Sequence, residues 1–123
     1  TDITGFGLIG HGREMALGSN VTIEISHSRV EPLPGALDAI RSGCVPGGLK
    51  NNQEFASCAV ALAAGIPPEV ETLLYDPQTS GGLLISLTAS EAPALESTLR
   101  AADVPATIIG RVLARGEHAI VVV

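Results

Sequence analysis

The residues best suited to chemistry lie in two short runs. The first is TDITGFGLIGHG, residues 1–12, where one carboxylate, Asp2, precedes Gly5, Gly7, Gly10 and Gly12. The second is DPQTSGG, residues 76–82, where Thr79, Ser80, Gly81 and Gly82 put two hydroxyls and a flexible backbone into one tight turn. A lone carboxylate beside backbone amides has two uses. It caps a helix, because its oxygens accept the free amides of a first turn. Alternatively it ligates a hard cation such as Mg2+, which takes oxygen ligands and usually keeps several waters plus substrate phosphates. The residues alone leave both open. A turn of hydroxyls, glycines and amides is either an anion nest or a plain lead into a following strand.

Residues 5–10 read G-x-G-x-x-G. A dinucleotide loop of that spacing needs a strand to deliver the chain into the glycine turn, and a helix N-terminus to meet the pyrophosphate. The sequence offers no strand before Gly5; the acidic residue in range is Glu24 or Glu31, and Glu24 falls inside a strand-like run rather than at its end. The glycines therefore need another reason, since each costs a helix about 1 kcal/mol relative to alanine. Close approach to a sheet is one reason; close approach to a substrate or another domain is the other. Lesser candidates are His11, read as a partly buried, hydrogen-bonded histidine, then Asp76 and Gln78, and the Pro46-Gly47-Gly48 loop with Asn51. Cys44 and Cys58 form no CxxC and read as small apolar residues near a core.

These residues need elements to hold them. The pattern predicts a helix over 4–18, with Thr1, Asp2 and Thr4 as candidate N-caps, and a half-buried strand over 21–26 (VTIEIS). Helices follow over 32–43, over the Ala-rich 53–65 and over 67–76, with 44–52 as a loop. After the 77–82 turn, LLISL (83–87) reads as a buried strand and 90–103 as an amphipathic helix. Strands over 106–115 and 118–123 are close enough to be joined as a hairpin. The order predicts an α/β (α+β) fold, a mixed β-sheet packed with helices.

Composition sets the bounds. At 123 residues, 46% apolar and 16% charged, the chain reads as one globular domain. A net charge of −6, one lysine (Lys50) and scattered arginines argue against a nucleic-acid surface. An acidic domain still handles phosphate when a divalent cation mediates the contact. The longest strongly apolar run, 58–66, is far short of the roughly 20 residues of a membrane helix, so a cytoplasmic protein without membrane contact is expected. A first residue other than Met suggests a processed product or a part of something longer.

Four blocks carry a family resemblance. TDITGFGLIGH resembles the segment that opens the C-terminal domain of the selenophosphate synthetase (selenide, water dikinase) family. CVPGGLKNN (44–52) resembles that family's Pro-Gly-Gly loop followed by Asn; YDPQTSGGLLISL (75–87) resembles its Asp-Pro-Gln-Thr-Ser-Gly-Gly-Leu-Leu signature; ATIIGRV (106–112) resembles its last-but-one strand. The family sits among ATP-using enzymes related to aminoimidazole ribonucleotide synthetase, which implies the C-terminal-domain fold of that group. The resemblance implies an enzyme that turns selenide, ATP and water into selenophosphate, AMP and phosphate. It implies an N-terminal domain, outside this sequence, with the Cys or selenocysteine nucleophile, a lysine, most Mg2+-binding aspartates and the homodimer interface. This chain alone would then be inactive, and neither Cys44 nor Cys58 would be the family's nucleophile. Asp2 matches the family's Mg2+-binding aspartate. Gly5 and Gly7 become clearance for phosphates or the facing domain, and Thr79, Ser80, Gly81 and Gly82 become phosphate-proximal. A sister ATP enzyme of the hydrogenase-maturation or thiamine-phosphate kinase type is disfavoured by Leu83-Leu84 directly after DPQTSGG. A non-catalytic module on the same fold is disfavoured by Asp2.

Overall fold

Strand β1 (Val21–Ile25) is the strand around which the other elements are arranged in the computed structural model, which describes residues 1–123. With β2 (Val60–Leu62), β3 (Gly110–Ala114) and β4 (Ile120–Val122) it forms a four-stranded sheet in the order β2-β4-β1-β3. β1 pairs antiparallel with β3 and parallel with β4, and β2 pairs parallel with β4, so the sheet is mixed as expected. Ile25, Ile120 and Val122 are fully buried, which fits all-apolar IVV as a central strand flanked on both sides. Where β3 begins its pairing with β1, a side chain at Gly110 would strike the carbonyl oxygen of Glu24.

Helix α1 (Gly7–Gly18) lies on β1 and β4. Its Ile9 and Ala16 are fully buried, and Gly12 lets it close on Ile120, whose Cδ1 would stand 3.4 Å from an added Cβ. Helices α2 (Ala36–Arg41), α3 (Gly48–Ala56), α4 (Pro68–Leu74) and α5 (Ala92–Ala101) complete the fold. Arg41 ties α2 to α4 by a bond to Glu69 (2.6 Å), beside a bond to Asp38 on its own helix (2.9 Å).

Four expectations are corrected. Residues 83–87 form no strand: their one bridge is Leu83 to Asp2, and Leu83, Ile85 and Leu87 stand exposed beside a groove of about 710 Å³ under α5. The last two strands are not a hairpin, because β1 runs between them. The buried Thr22 hydroxyl accepts from the Gly116 amide (2.9 Å) and donates to the His118 carbonyl (2.7 Å), pinning their connection across the end of β1. The Ala-rich helix begins at Gly48, inside the expected loop, and ends at Ala56. Val60–Leu62 then pairs with Ile120–Val122, a tertiary contact that outweighs local helix propensity. Finally, Cys44 and Cys58 are exposed rather than near the core.

Candidate functional site

The two chemistry-bearing runs meet. Thr1–Thr4 lies against Gln78–Leu84 through a backbone ladder: Leu84 amide to Thr1 carbonyl (2.8 Å), Ile3 amide to Gly82 carbonyl (2.8 Å), Gly81 amide to Ile3 carbonyl (3.2 Å) and Gln78 amide to Thr4 carbonyl (3.1 Å). Gly81 must be glycine here, since any Cβ would collide with the Ile3 carbonyl and the Gln78 side chain.

The same ladder decides how α1 starts. Thr1 and Asp2 are drawn into pairing with Leu84 and Leu83, and the Thr4 hydroxyl pairs with His11 Nε2 at 3.0 Å. None of the three expected caps serves: the helix starts at Gly7, three residues later than predicted, with Phe6 at the N-cap position and no side-chain cap. Asp2 is exposed, and its carboxylate makes no hydrogen bond or ion pair within the chain. A carboxylate spared from capping keeps its lone pairs for something else.

The glycines of the first run divide. Gly7 has φ +68°, and a Cβ there would stand 2.8 Å from the Tyr75 carbonyl carbon and 2.9 Å from the Asp76 oxygen. Its glycine requirement is therefore met inside the chain, by backbone packed on backbone. Gly5 is exposed, with nothing within 4 Å of its Cβ direction. Thr79, Ser80 and Gly82 are exposed, and their amides make no hydrogen bond within the chain. These free donors, with the Thr79 and Ser80 hydroxyls, are what an anion nest requires. Behind them a cavity of about 430 Å³ is lined by Ile3, Leu8, Asp76 and Gln78 among others. Burial there holds the Asp76 carboxyl above the usual aspartate range.

A third block joins the first two, through a residue the sequence reading passed over. Asn51 is exposed, as are Pro46, Gly47 and Gly48. Asn52 is buried, and its Nδ2 donates to the Gly5 carbonyl (2.9 Å) and the Tyr75 carbonyl (3.0 Å). The signal is a polar residue inside the buried stripe Leu49, Asn52, Ala56. It shows only once the helix is placed over Gly48–Ala56 instead of 53–65.

Beside this junction Phe6 and Phe55 stack at 5.8 Å, half exposed, with the Arg13 guanidinium 4.4 Å above Phe55. His11 packs at 5.5 Å from Phe6 and, as expected, is partly buried and hydrogen-bonded. No group of three or more His, Cys, Asp or Glu side chains in the chain could hold a metal by itself. Asp2 therefore fits a metal only as one ligand among several from elsewhere.

Comparison with known proteins shows the family. The whole chain, residues 1–123, matches the family described as AIR synthase related protein, C-terminal domain. It is 45% identical over 122 residues to a selenide, water dikinase of Clostridium botulinum (strain Eklund 17B / Type B), covering 99% of this chain and 35% of the relative. It is 42% identical over 124 residues to selenide, water dikinase 2 of Peptoclostridium acidaminophilum, and 42% over 122 residues to a selenide, water dikinase of Geobacter metallireducens. These alignments cover 100% and 99% of this chain, and 35% of each relative. The chain thus spans about a third of the length of the curated relatives it matches.

Proposed function

We propose that this chain, which belongs to the AIR synthase related protein family as its C-terminal domain, serves as the C-terminal portion of a selenide, water dikinase. That enzyme makes selenophosphate from selenide, ATP and water, with release of AMP and phosphate. The observation that carries the reading is the backbone meeting of the Asp2 run, with its unengaged carboxylate, and the Thr79–Gly82 turn, with its unengaged amides and hydroxyls.

In this reading Asp2 supplies one oxygen ligand to Mg2+, and an N-terminal domain supplies the rest. Magnesium sites normally use one or two carboxylates with phosphate oxygens and water. Bound there, the ion would neutralise charge on the polyphosphate during phosphoryl transfer. Thr79, Ser80 and Gly82 offer donors to anionic oxygens. Gly5 leaves space for a ligand or the facing domain, while Gly7 and Gly81 shape the loops. The N-terminal domain carries the Cys or selenocysteine nucleophile, the lysine and the homodimer interface, and the protein works in the cytoplasm.

The test is Asp2→Asn in the full-length protein. The substitution keeps the shape and removes the charge that a hard cation needs. Because Asp2 caps no helix, the melting temperature should hardly move. Most turnover should be lost, with partial rescue at high Mg2+, read by magnesium titration of ATP hydrolysis. Wild-type turnover at low magnesium would end the ligand role.

A further inference from the structure

We propose that Asn52 is a positioning residue, whose carboxamide sets where Asp2 stands relative to the Thr79–Gly82 turn. The proposal rests on the reading of Asp2 given above. Both protons of the Asn52 amide are spent on backbone carbonyls of different loops, Gly5 at 2.9 Å and Tyr75 at 3.0 Å. Gly5 lies between Asp2 and the start of α1; Tyr75 lies one residue before the Asp76–Gly82 turn. Tyr75 caps the C-terminal end of α4 and Gly5 lies two residues before α1; beyond them Thr1–Thr4 and Asp76–Gly82 are in no helix and are held by the ladder between them.

The two loops touch at Gly7 and Tyr75–Asp76, and again through Ile3 and Thr4 with Gln78, Gly81 and Gly82. Asn52 fixes the end of that zipper opposite Thr1–Leu84. It stands on a third element, α3, with Leu49 and Ala56 buried on either side. A carboxamide on a helix is a rigid mount, and a buried amide without partners is costly. The register of the zipper is thus coupled to a helix that carries no chemistry itself.

The experiment uses the full-length protein, with Asn52→Ala, Asn52→Ser and, as a control for stability, Val122→Ala in the buried centre of the sheet. Asn52→Ser keeps one donor and serves if Asn52→Ala does not fold. Two readouts are taken at a temperature where every variant is folded. Hydrogen–deuterium exchange without nucleotide should speed up in peptides covering 1–8 and 75–84, while those covering β1 and β4 stay at wild-type rates. The Mg2+ concentration for half-maximal ATP hydrolysis should rise about tenfold, the scale of one or two lost hydrogen bonds. Val122→Ala should change neither local exchange at the two loops nor the magnesium requirement. Exchange that rises equally everywhere overturns the proposal. So does faster loop exchange with an unchanged magnesium requirement, which would leave Asn52 a structural staple. Failure of the ligand reading is separate: Asp2→Asn would then keep wild-type turnover, whatever Asn52 does to exchange.

Discussion

Gly5 and Gly7 stand two residues apart in one motif, yet the chain asks different things of them. Gly7 sits at φ +68° with Tyr75 and Asp76 backbone atoms at 2.8–2.9 Å from an added Cβ. Gly7→Ala should destabilise the fold by at least about 1–3 kcal/mol, the range for a non-glycine residue held in that region. Gly5→Ala meets nothing within 4 Å and should stay within about 0.5 kcal/mol of wild type. Urea melts of the two variants check this. If Gly5 is clearance for a ligand, Gly5→Ala in the full-length enzyme should still lose turnover. Asp76 adds a pH signature. Burial raises its carboxyl above the unfolded value, so the folded chain holds that proton more tightly than the unfolded chain does. Its contribution to stability is fully present below the unfolded value, about pH 4, and is lost as pH rises through the folded one. Asp76→Asn should therefore be more stable than wild type at pH 7, with the difference disappearing near about pH 3. Urea melts at the two pH values decide it; equal stability at pH 7 would refute the burial argument.

At the scale of elements, the segment 83–87 behaves unlike the strand its composition suggests. Leu84 bonds to Thr1, but the amides of Ile85, Ser86 and Leu87 make no hydrogen bond within the chain. They should exchange with deuterium far faster than those of Ile23–Ile25, which lie in the centre of the sheet. Comparable protection in both segments, read by mass spectrometry, would mean that 83–87 is paired after all. Much of the element list was legible. The apolar spacing over 4–18 and the alternation over 21–26 are local signals; the first became a helix that starts three residues late, the second a strand one residue shorter. What failed depended on partners distant in sequence. A short apolar run such as LLISL has the same pattern whether or not a neighbouring strand is there to pair with it. Val60–Leu62 is a strand because Ile120–Val122 lies beside it. The connection at 115–119 looks like a hairpin until Thr22 is seen holding it across β1. The candidate site followed the same rule. Its motifs could be found one by one, but that Asn52 clasps two of them depended on a helix boundary the local signals misplaced.

The whole molecule carries a net charge of −6, has no helix long and apolar enough to cross a membrane, and holds no cluster of three metal-binding side chains. Its surface ion pairs, such as Arg111 with Glu24 at 2.7 Å, tie neighbouring elements together and are worth little each. With one unengaged carboxylate at its centre, the proposed site lacks the cation density and the ligand number that a polyphosphate with its magnesium demands. About two-thirds of the length of each relative lies outside the matched region, which is where the remaining groups are proposed to come from. The 123-residue chain by itself should therefore bind Mg-ATP too weakly to detect at micromolar concentrations, and should form no selenophosphate from ATP and selenide. Calorimetric titration with Mg-ATP gives the first answer, and phosphorus NMR of the reaction mixture gives the second. A ligand at 100 times its dissociation constant would stabilise the folded chain by about 2.7 kcal/mol, so a thermal melt offers an independent reading. Micromolar affinity accompanied by such a shift would put a complete nucleotide site within these residues and remove the need for a second domain at Asp2. Absence of heat and of any shift, alongside full activity of the longer protein, would leave Asp2 as one half of a site that only the whole chain completes.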